Sequence, residues 1–362
     1  MKIIISGGGS GGHVYPAIAI AQALKSKGIE DVLFVGAEGK IEMEKVPAAG
    51  FPIESLWISG LHRGELLRNI LFPIKLVSSL WKAKKIIEKF KPDVVVGVGG
   101  FASGPVLKMA QMKSIPTLIQ EQNSYPGITN KLLAGNAETI CVAYPQMERF
   151  FDSDKIKFTG NPVRKDLLSV ELLTSEAMSY FDLDQNKKTI FIFGGSLGAR
   201  AINNAIYNKW SRIEALSDVQ FLWQVGKAYY EEFSKSPLAA CEHVKILPFI
   251  DRMDYAYSIS DCIICRAGAL TISEISLVGK PAIFVPSPNV AEDHQRKNAQ
   301  ALVDNKAAIM IEDKEANDIL LDRALELLED KDTQKRLSEN IRRMAAPGAD
   351  DIIADEIISL AQ

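Results

Sequence analysis

Three times in this chain a short apolar strand runs directly into a glycine-rich turn: IIISGGGSGGHVYP (Ile3–Pro16), VVVGVGGFASGP (Val94–Pro105) and TIFIFGGSLGAR (Thr189–Arg200). A strand that opens into glycines and then a helix presents several backbone N–H groups at the positive end of a helix dipole. A Cβ at such a turn would hold an incoming oxyanion away from the backbone, and the turn often needs positive φ. One such turn is a weak motif. Three of them, spread over both halves of a 362-residue chain, imply more than one phosphate group and a site between two α/β domains.

The length suits two domains, each with its own core. A net charge of -3 gives no general pull toward nucleic acid. The apolar run after Lys2 ends at Ile5, too short for a secretory signal. No apolar stretch reaches the ~20 residues that a membrane-spanning helix needs. Four cysteines are too few for a disulfide scaffold. Cys262 and Cys265 form a CxxC within DCIIC, but residues three apart on a strand point to opposite faces, and no second CxxC completes a zinc site. They read as core thiols, and the cytoplasm is the expected compartment.

Apolar runs alternate with helical patterns along the whole chain. Strands are expected at Lys2–Ser6, Val32–Gly36, Val94–Val98, Thr117–Gln120 and Thr139–Ala143. A second series falls at Thr189–Phe193, Val219–Gln224, Val244–Leu247, Asp261–Cys265 and Ala282–Val285. Runs apolar on both faces suit parallel strands covered by helices. FTGNPVRK (Phe158–Lys165) separates the two series, and AAPGADD (Ala345–Asp351) precedes a last helix over Asp350–Leu360. The fold class is therefore α/β, with two Rossmann-like domains whose parallel sheets face a central cleft. Their expected extents are 1–160 and 161–345, with 346–362 returning to the first.

Gly7-x-Gly9-x-x-Gly12 matches the dinucleotide fingerprint in form, but the acidic residue expected at the end of the second strand is missing. Gly36 stands there, with Glu38 a poor substitute, and no Gly-Lys-Ser/Thr follows to make a P-loop. His13 sits where the helix begins, and the positive end of the dipole favours a neutral imidazole able to accept a proton. On chemistry alone, a lone histidine beside glycines is more often a structural hydrogen-bonder than a catalytic group.

The ordered set GGGSGGHVYPAIAIAQAL, GVGGFASGP, EQNSYPGITNK, GNPVR, GGSLGAR, PFIDRM, CRAGALTISEI and QxxN-A (Gln295–Ala299) resembles the MurG family of glycosyltransferase family 28, across both domains. The resemblance implies a GT-B fold and a hexosyltransferase of peptidoglycan synthesis, hence of cell-wall biogenesis, cell shape and division. The reaction it implies is transfer of N-acetylglucosamine (GlcNAc) from UDP-GlcNAc to the MurNAc 4-hydroxyl of undecaprenyl-pyrophosphoryl-MurNAc-pentapeptide (lipid I), giving lipid II with inversion. By resemblance the second domain holds the donor. Glu274 takes both ribose hydroxyls, and Ala269, Leu270, Thr271, Ile272 and Ser273 start the helix whose N–H groups meet the diphosphate. On the residues alone, Thr271-x-x-Glu274 is also a capping-box pattern. The resemblance further implies uracil contact through the main chain of Ile250, phosphate contacts from Ser196 and Arg164, and sugar contacts from Gln295, assisted by Asn298. Asn123, Ser10, Gly11 and Gly12 join the donor set, with Gly99, Gly100 and Gly195 as additional candidates and His13 as the base; the first two glycine turns either cradle the lipid-linked pyrophosphate or complete the donor site. No cofactor or metal is implied, since no DxD-type pair lies in a suitable loop. Asp350-Asp351 instead opens the last helix, where acids are ordinary dipole partners.

Two departures from the family pattern stand out: Leu197 where glutamine is frequent, and Glu292-Asp293-His294 in place of a more basic stretch. Ser10 replaces a frequent threonine and keeps the hydroxyl. Three rival readings stay open: a diacylglycerol glycosyltransferase of the same family, a UDP-sugar epimerase, which shares the two-domain fold, and, from another class, a nucleotide-sensing binding module or oxidoreductase.

A lipid-linked acceptor implies a peripheral position on the cytoplasmic face of the cell (inner) membrane, against an anionic surface. The segment Glu65–Lys85 fits. Leu66, Ile70, Ile74, Val77 and Trp81 form one stripe at helical spacing, and Arg68, Lys75 and Lys82 recur on the other side. The alternative is an amphipathic helix packed on its own sheet, and Pro73 is a second place for the helix to start.

Overall fold

The computed structural model describes residues 1–60, 70–163, 167, 170, 173–290 and 293–362. The chain divides into two compact units, Met1–Val163 with Ala346–Gln362, and Arg164–Ala345. The first holds β1 (Lys2–Ser6), β2 (Asp31–Ala37), β3 (Ile53–Leu56), β4 (Val94–Gly97), β5 (Thr117–Glu121), β6 (Thr139–Val142) and β7 (Ile156–Phe158). They form one parallel sheet in the order β3-β2-β1-β4-β5-β6-β7. Its described helices include α1 (Gly11–Ser26), α2 (Glu42–Ala48), α3 (Phe72–Phe90), α4 (Ser103–Met112) and α5 (Ile128–Ala134).

The second unit orders β8 (Lys188–Phe193), β9 (Val219–Gln224), β10 (Val244–Leu247), β11 (Cys262–Cys265), β12 (Ala282–Phe284) and β13 (Ile309–Met310) as β10-β9-β8-β11-β12-β13, again all parallel. Its helices include α6 (Thr174–Phe181), α7 (Arg200–Tyr207), α8 (Trp210–Glu214), α9 (Tyr230–Phe233) and α10 (Met253–Ile259). They continue with α11 (Ala269–Val278), α12 (His294–Asp304), α13 (Ala316–Glu329) and α14 (Lys331–Arg342). The last helix, α15 (Ala349–Leu360), packs Ile353, Ala354 and Ile357 into the core of the first unit, against α1.

Strand side chains alternate between two apolar layers. Ile3, Ile5, Val94 and Val96 enter the layer under α1 and α15, whereas Ile4 and Val95 enter the one lined by Ala83 and Ile87 of α3 and Val106 and Leu107 of α4. In the second unit Phe191 and Phe193 face one layer, and Ile190 and Ile192 the other. Every expected strand is present within one residue at each end. Three more are β3, β7 and β13, each at a sheet edge and short, with half-exposed side chains that break the apolar run.

Register places the glycine turns. Ser6 pairs opposite Gly97, so the turns after β1 and β4 leave the sheet side by side. Phe193 pairs with both Gln224 and Cys265, so the turns after β8, β9 and β11 do the same. In each unit the central strand is the one from which the strand order runs in both directions. The glycine turns thus stand at the topological switch point, on the carboxyl ends of the strands.

Cys262 and Cys265 lie on opposite faces of β11, one in each layer. Burial pushes Cys141 and Cys262 up to about 12 and Cys265 well above the ordinary thiol range. Cys241 is the partly exposed thiol. An aromatic disulfide reagent at pH 8 should therefore modify Cys241 alone in the native protein, and the other three only after denaturation; rapid labelling of Cys262 or Cys265 without unfolding would contradict this packing.

Candidate active site

In the first unit two glycine turns interlock. A Cβ on Gly100 would lie 2.2 Å from the Gly8 carbonyl oxygen, so the turns approach backbone to backbone. The Phe101 ring covers Gly9 and also lies against Gly60. His13 sits in the first turn of α1, after Ser10 at the N-cap, and Ser10 Oγ is 3.1 Å from His13 Nδ1. The other side of the imidazole rests over Gly99, whose Cβ would meet His13 Cδ2 at 2.8 Å and Nε2 at 2.9 Å. Ser10, Gly11 and Gly12 therefore form the N-terminal edge of α1, with His13 held between that edge and the second turn.

Beneath these turns lies a buried polar layer that motif reading missed. The Gln122 amide donates to the Val98 carbonyl at 2.7 Å and to the Gln120 side chain, and Gln120 donates to Asn161 Oδ1 at 3.0 Å. Asn161 Nδ2 in turn donates to the Gln122 carbonyl at 3.1 Å. Asn161 belongs to GNPVR, so this segment is tied into the first unit. Glu121, at the end of β5, accepts from Asn123 N at 2.9 Å, Gly127 N at 3.1 Å and Asn130 Nδ2 at 2.8 Å. Burial raises its carboxyl above the usual range, and these donors pull it back. The Asn123 amide also donates to Glu121, at 3.2 Å, so the side chain braces its own loop.

In the second unit Ser196 and Leu197 stand exposed on the turn after β8. Gln224, at the end of β9, donates from Nε2 to the Gly195 carbonyl at 3.0 Å and accepts from Ile250 N at 2.9 Å. It joins two segments that the sequence treats as separate. The Ile250 side chain is buried in the core, and its N–H is taken by Gln224.

Helix α11 begins at Ala269 with Gly268 as N-cap, and no side chain caps it. Thr271 and Glu274 consequently lie in the third and sixth helical positions, and the capping-box alternative falls away. Glu274 instead accepts from the buried Tyr257 hydroxyl at 2.9 Å, a tether that holds its carboxylate in place. Ser273 Oγ donates to the Ala269 carbonyl, and Ile272 packs into the core. On α12, Gln295 Oε1 accepts from Ser287 N at 2.9 Å, and Asn298 is fully buried. Exposed helix polarity therefore does not describe Asn298. Arg164 and Glu292 lie outside the described residues.

The first unit also carries an apolar face outside its core. Helix α3 does start at Phe72, with Pro73 in its first turn. It packs Ala83, Ile86 and Ile87 inward and leaves Ile74, Val77 and Trp81 outward, at 58%, 67% and 61% exposure. Ile70, Leu71 and Trp57 extend the exposed set, and Leu66 and Arg68 lie outside the described residues. Lys85 Nζ lies 3.4 Å from the Trp81 ring centroid. Lys75 reaches Ser59 Oγ at 3.1 Å, and Ser59 adjoins Gly60, which touches Phe101 beside the glycine turns.

Two parallel α/β units with glycine turns at both switch points are the architecture of a two-domain protein built to handle phosphorylated ligands. Residues 3–142 match the glycosyltransferase family 28 N-terminal domain and residues 189–354 the glycosyltransferase family 28 C-terminal domain. The chain belongs to glycosyltransferase family 28. It is 54% identical to the UDP-N-acetylglucosamine--N-acetylmuramyl-(pentapeptide) pyrophosphoryl-undecaprenol N-acetylglucosamine transferase of Flavobacterium psychrophilum, over 100% of this chain and 98% of that one. The protein of the same name from Phocaeicola vulgatus is also 54% identical, over 100% and 96%. The crystal structure of Acinetobacter baumannii MurG superposes with a TM-score of 0.76 at 28% identity, covering 99% of each chain.

Proposed function

We infer that this chain is the inverting glycosyltransferase that moves GlcNAc from UDP-GlcNAc to the MurNAc 4-hydroxyl of lipid I, forming the lipid II precursor of peptidoglycan. The observation that carries this reading is full-length identity of 50–54% to transferases of that name. The second unit takes the donor in this reading. The Tyr257-tethered Glu274 carboxylate accepts from the ribose hydroxyls, and the Ile250 carbonyl accepts from uracil N3–H. The α11 start and the turn bearing Gly195 and Ser196 face the diphosphate, with Arg164 assisting. Gln295, its oxygen occupied by Ser287, offers amide hydrogens to the sugar hydroxyls.

The first unit takes the acceptor, and Asn123 and the Ser10–Gly12 edge complete the polar lining. His13 is the base: the imidazole accepts the 4-hydroxyl proton as that oxygen attacks the anomeric carbon, and the bond to the UDP oxygen breaks. The charge gathering on UDP meets helix N-termini and a guanidinium, with no metal required. The exposed Ile74, Val77 and Trp81, with Lys85 beside the indole, suit the headgroup boundary of an anionic membrane. No helix among the described residues is long and apolar enough to cross one.

Incubating UDP-GlcNAc with a short-chain lipid I analogue should yield a product heavier by one N-acetylhexosamine, with UDP released. Epimerised donor without acceptor, or transfer to diacylglycerol alone, would overturn the reading. His13→Ala should lower turnover by roughly a hundredfold or more while calorimetric donor affinity stays near wild type.

Glu274→Gln keeps an acceptor for Tyr257 and removes no cap, so thermal stability should hold. UDP-GlcNAc affinity should fall about ten- to a hundredfold, from loss of a charge-assisted contact of roughly 1.5–3 kcal/mol. A drop in melting temperature at unchanged affinity would assign Glu274 a purely structural role.

Replacing Ile74, Val77 and Trp81 together by serine removes no core contact. The variant should no longer sediment with anionic vesicles, yet should retain activity on a soluble acceptor. Wild-type sedimentation would move the membrane face elsewhere.

A further inference from the structure

The end of β2 is where a dinucleotide-binding fold places an acidic side chain for a ribose, and here it carries Gly36. The structure shows what occupies the space. Glu42, the first residue of α2, is 1% exposed and passes beside Gly36, where a Cβ would lie 2.5 Å from Glu42 Cγ. Its carboxylate ends under the first glycine turn, and a Cβ on Gly8 would lie 2.1 Å from Glu42 Oε1. Gly9 N donates to both carboxylate oxygens, at 3.1 and 3.0 Å, and Ala37 N donates to Oε1 at 3.0 Å.

A glycine turn whose N–H groups converge is an anion-binding concavity. Here the protein supplies the anion itself. The Gly9 N–H is thereby committed inward, and the carboxylate charge opposes a phosphate entering on that side. The outward donors are those that follow, at the Ser10–Gly12 edge leading to His13.

We propose that Glu42 is a positioning residue for transfer: it locks the first glycine turn from beneath, so that the acceptor meets the Ser10–Gly12 edge and His13 in one geometry. The proposal rests on the acceptor role assigned above to the first unit. Its chain of contacts is short. Glu42 holds Gly9, the residue before the α1 N-cap, and Gly8 holds the second turn through its contact with Gly100. Gly99 of that second turn is the surface on which the imidazole rests. Loosening Gly9 therefore frees both sides of the His13 seat.

The test is Glu42→Gln, which preserves volume but turns an amide hydrogen toward one of the donors, with Glu42→Asp, one methylene too short, as the second variant. Two measurements are made on each. Amide exchange of Gly9, followed without substrate, should quicken by about tenfold or more in both variants. With a short-chain lipid I analogue, kcat/KM for the acceptor should fall by ~10- to 100-fold, the scale of a misplaced reacting group. Calorimetric affinity for UDP-GlcNAc should stay within about twofold of wild type, which a general loss of structure would not allow. Wild-type Gly9 exchange in both folded variants would overturn the proposal, as would wild-type acceptor kinetics in a variant whose turn has loosened. Absence of any transfer product from the wild-type protein would overturn the acceptor reading, and the exchange measurement would still decide whether Glu42 locks the turn.

Discussion

The structure depends on the parallel pairing of β1 with β4, in which Ser6 stands opposite Gly97. That register releases two glycine turns from the sheet at the same level, close enough that Gly100 has no room for a side chain beside the Gly8 carbonyl. Any larger residue there would need the turns to part, and the seat of His13 would part with them. The pairing of Phe193 with Gln224 and Cys265, and of Gln224 with Leu247, has the same consequence in the second unit, where the Gly195 turn, the Ile250 backbone and the start of α11 follow from strand ends in register. Position in the sheet, more than any single motif, decides which residues can act together.

Much of this architecture was legible because buried parallel strands announce themselves. Val94–Val96 must satisfy two apolar layers at once, so every position is apolar and the run stands out. Edge strands obey a weaker constraint. Ile156–Phe158 covers the sheet on one side only and reads IKF, a pattern that turns and loops share. Helix α3 shows the same limit from the other direction. Its periodicity gave an apolar stripe at Ile74, Val77 and Trp81, but the helix buries a different stripe through Ala83, Ile86 and Ile87. Two apolar stripes on one helix leave the choice of inner face to tertiary packing.

The site divides similarly. Candidate residues marked out by type and position, such as His13 at a helix start or Glu274 on α11, were accessible from sequence and resemblance. Residues that act by holding a turn were not. Gln224 is one polar residue at the end of an apolar strand, and nothing nearby shows that it bridges Gly195 and Ile250 across two connections. Tyr257 reads as one more core aromatic until its hydroxyl is seen on Glu274. Glu42 left a trace, the glycine where a ribose-binding acid was expected, but the trace marks a space without saying what fills it.

The two turn-holding side chains leave the turns of the two units electrostatically different. Gln224 grips its turn by donating to a carbonyl, Gly195 O, so that grip takes none of the turn's N–H groups and brings no charge. Glu42 grips its turn by accepting an N–H, Gly9 N, and adds a negative charge beneath it. A diphosphate approaching the turn of the second unit meets N–H groups that this grip leaves uncommitted. The same diphosphate approaching the first unit meets a concavity already occupied by a carboxylate. Of the two turns, the Gly195 turn is thus the better seat for an anion. The first unit presents a narrower set of donors, at the Ser10–Gly12 edge, beside the His13 imidazole.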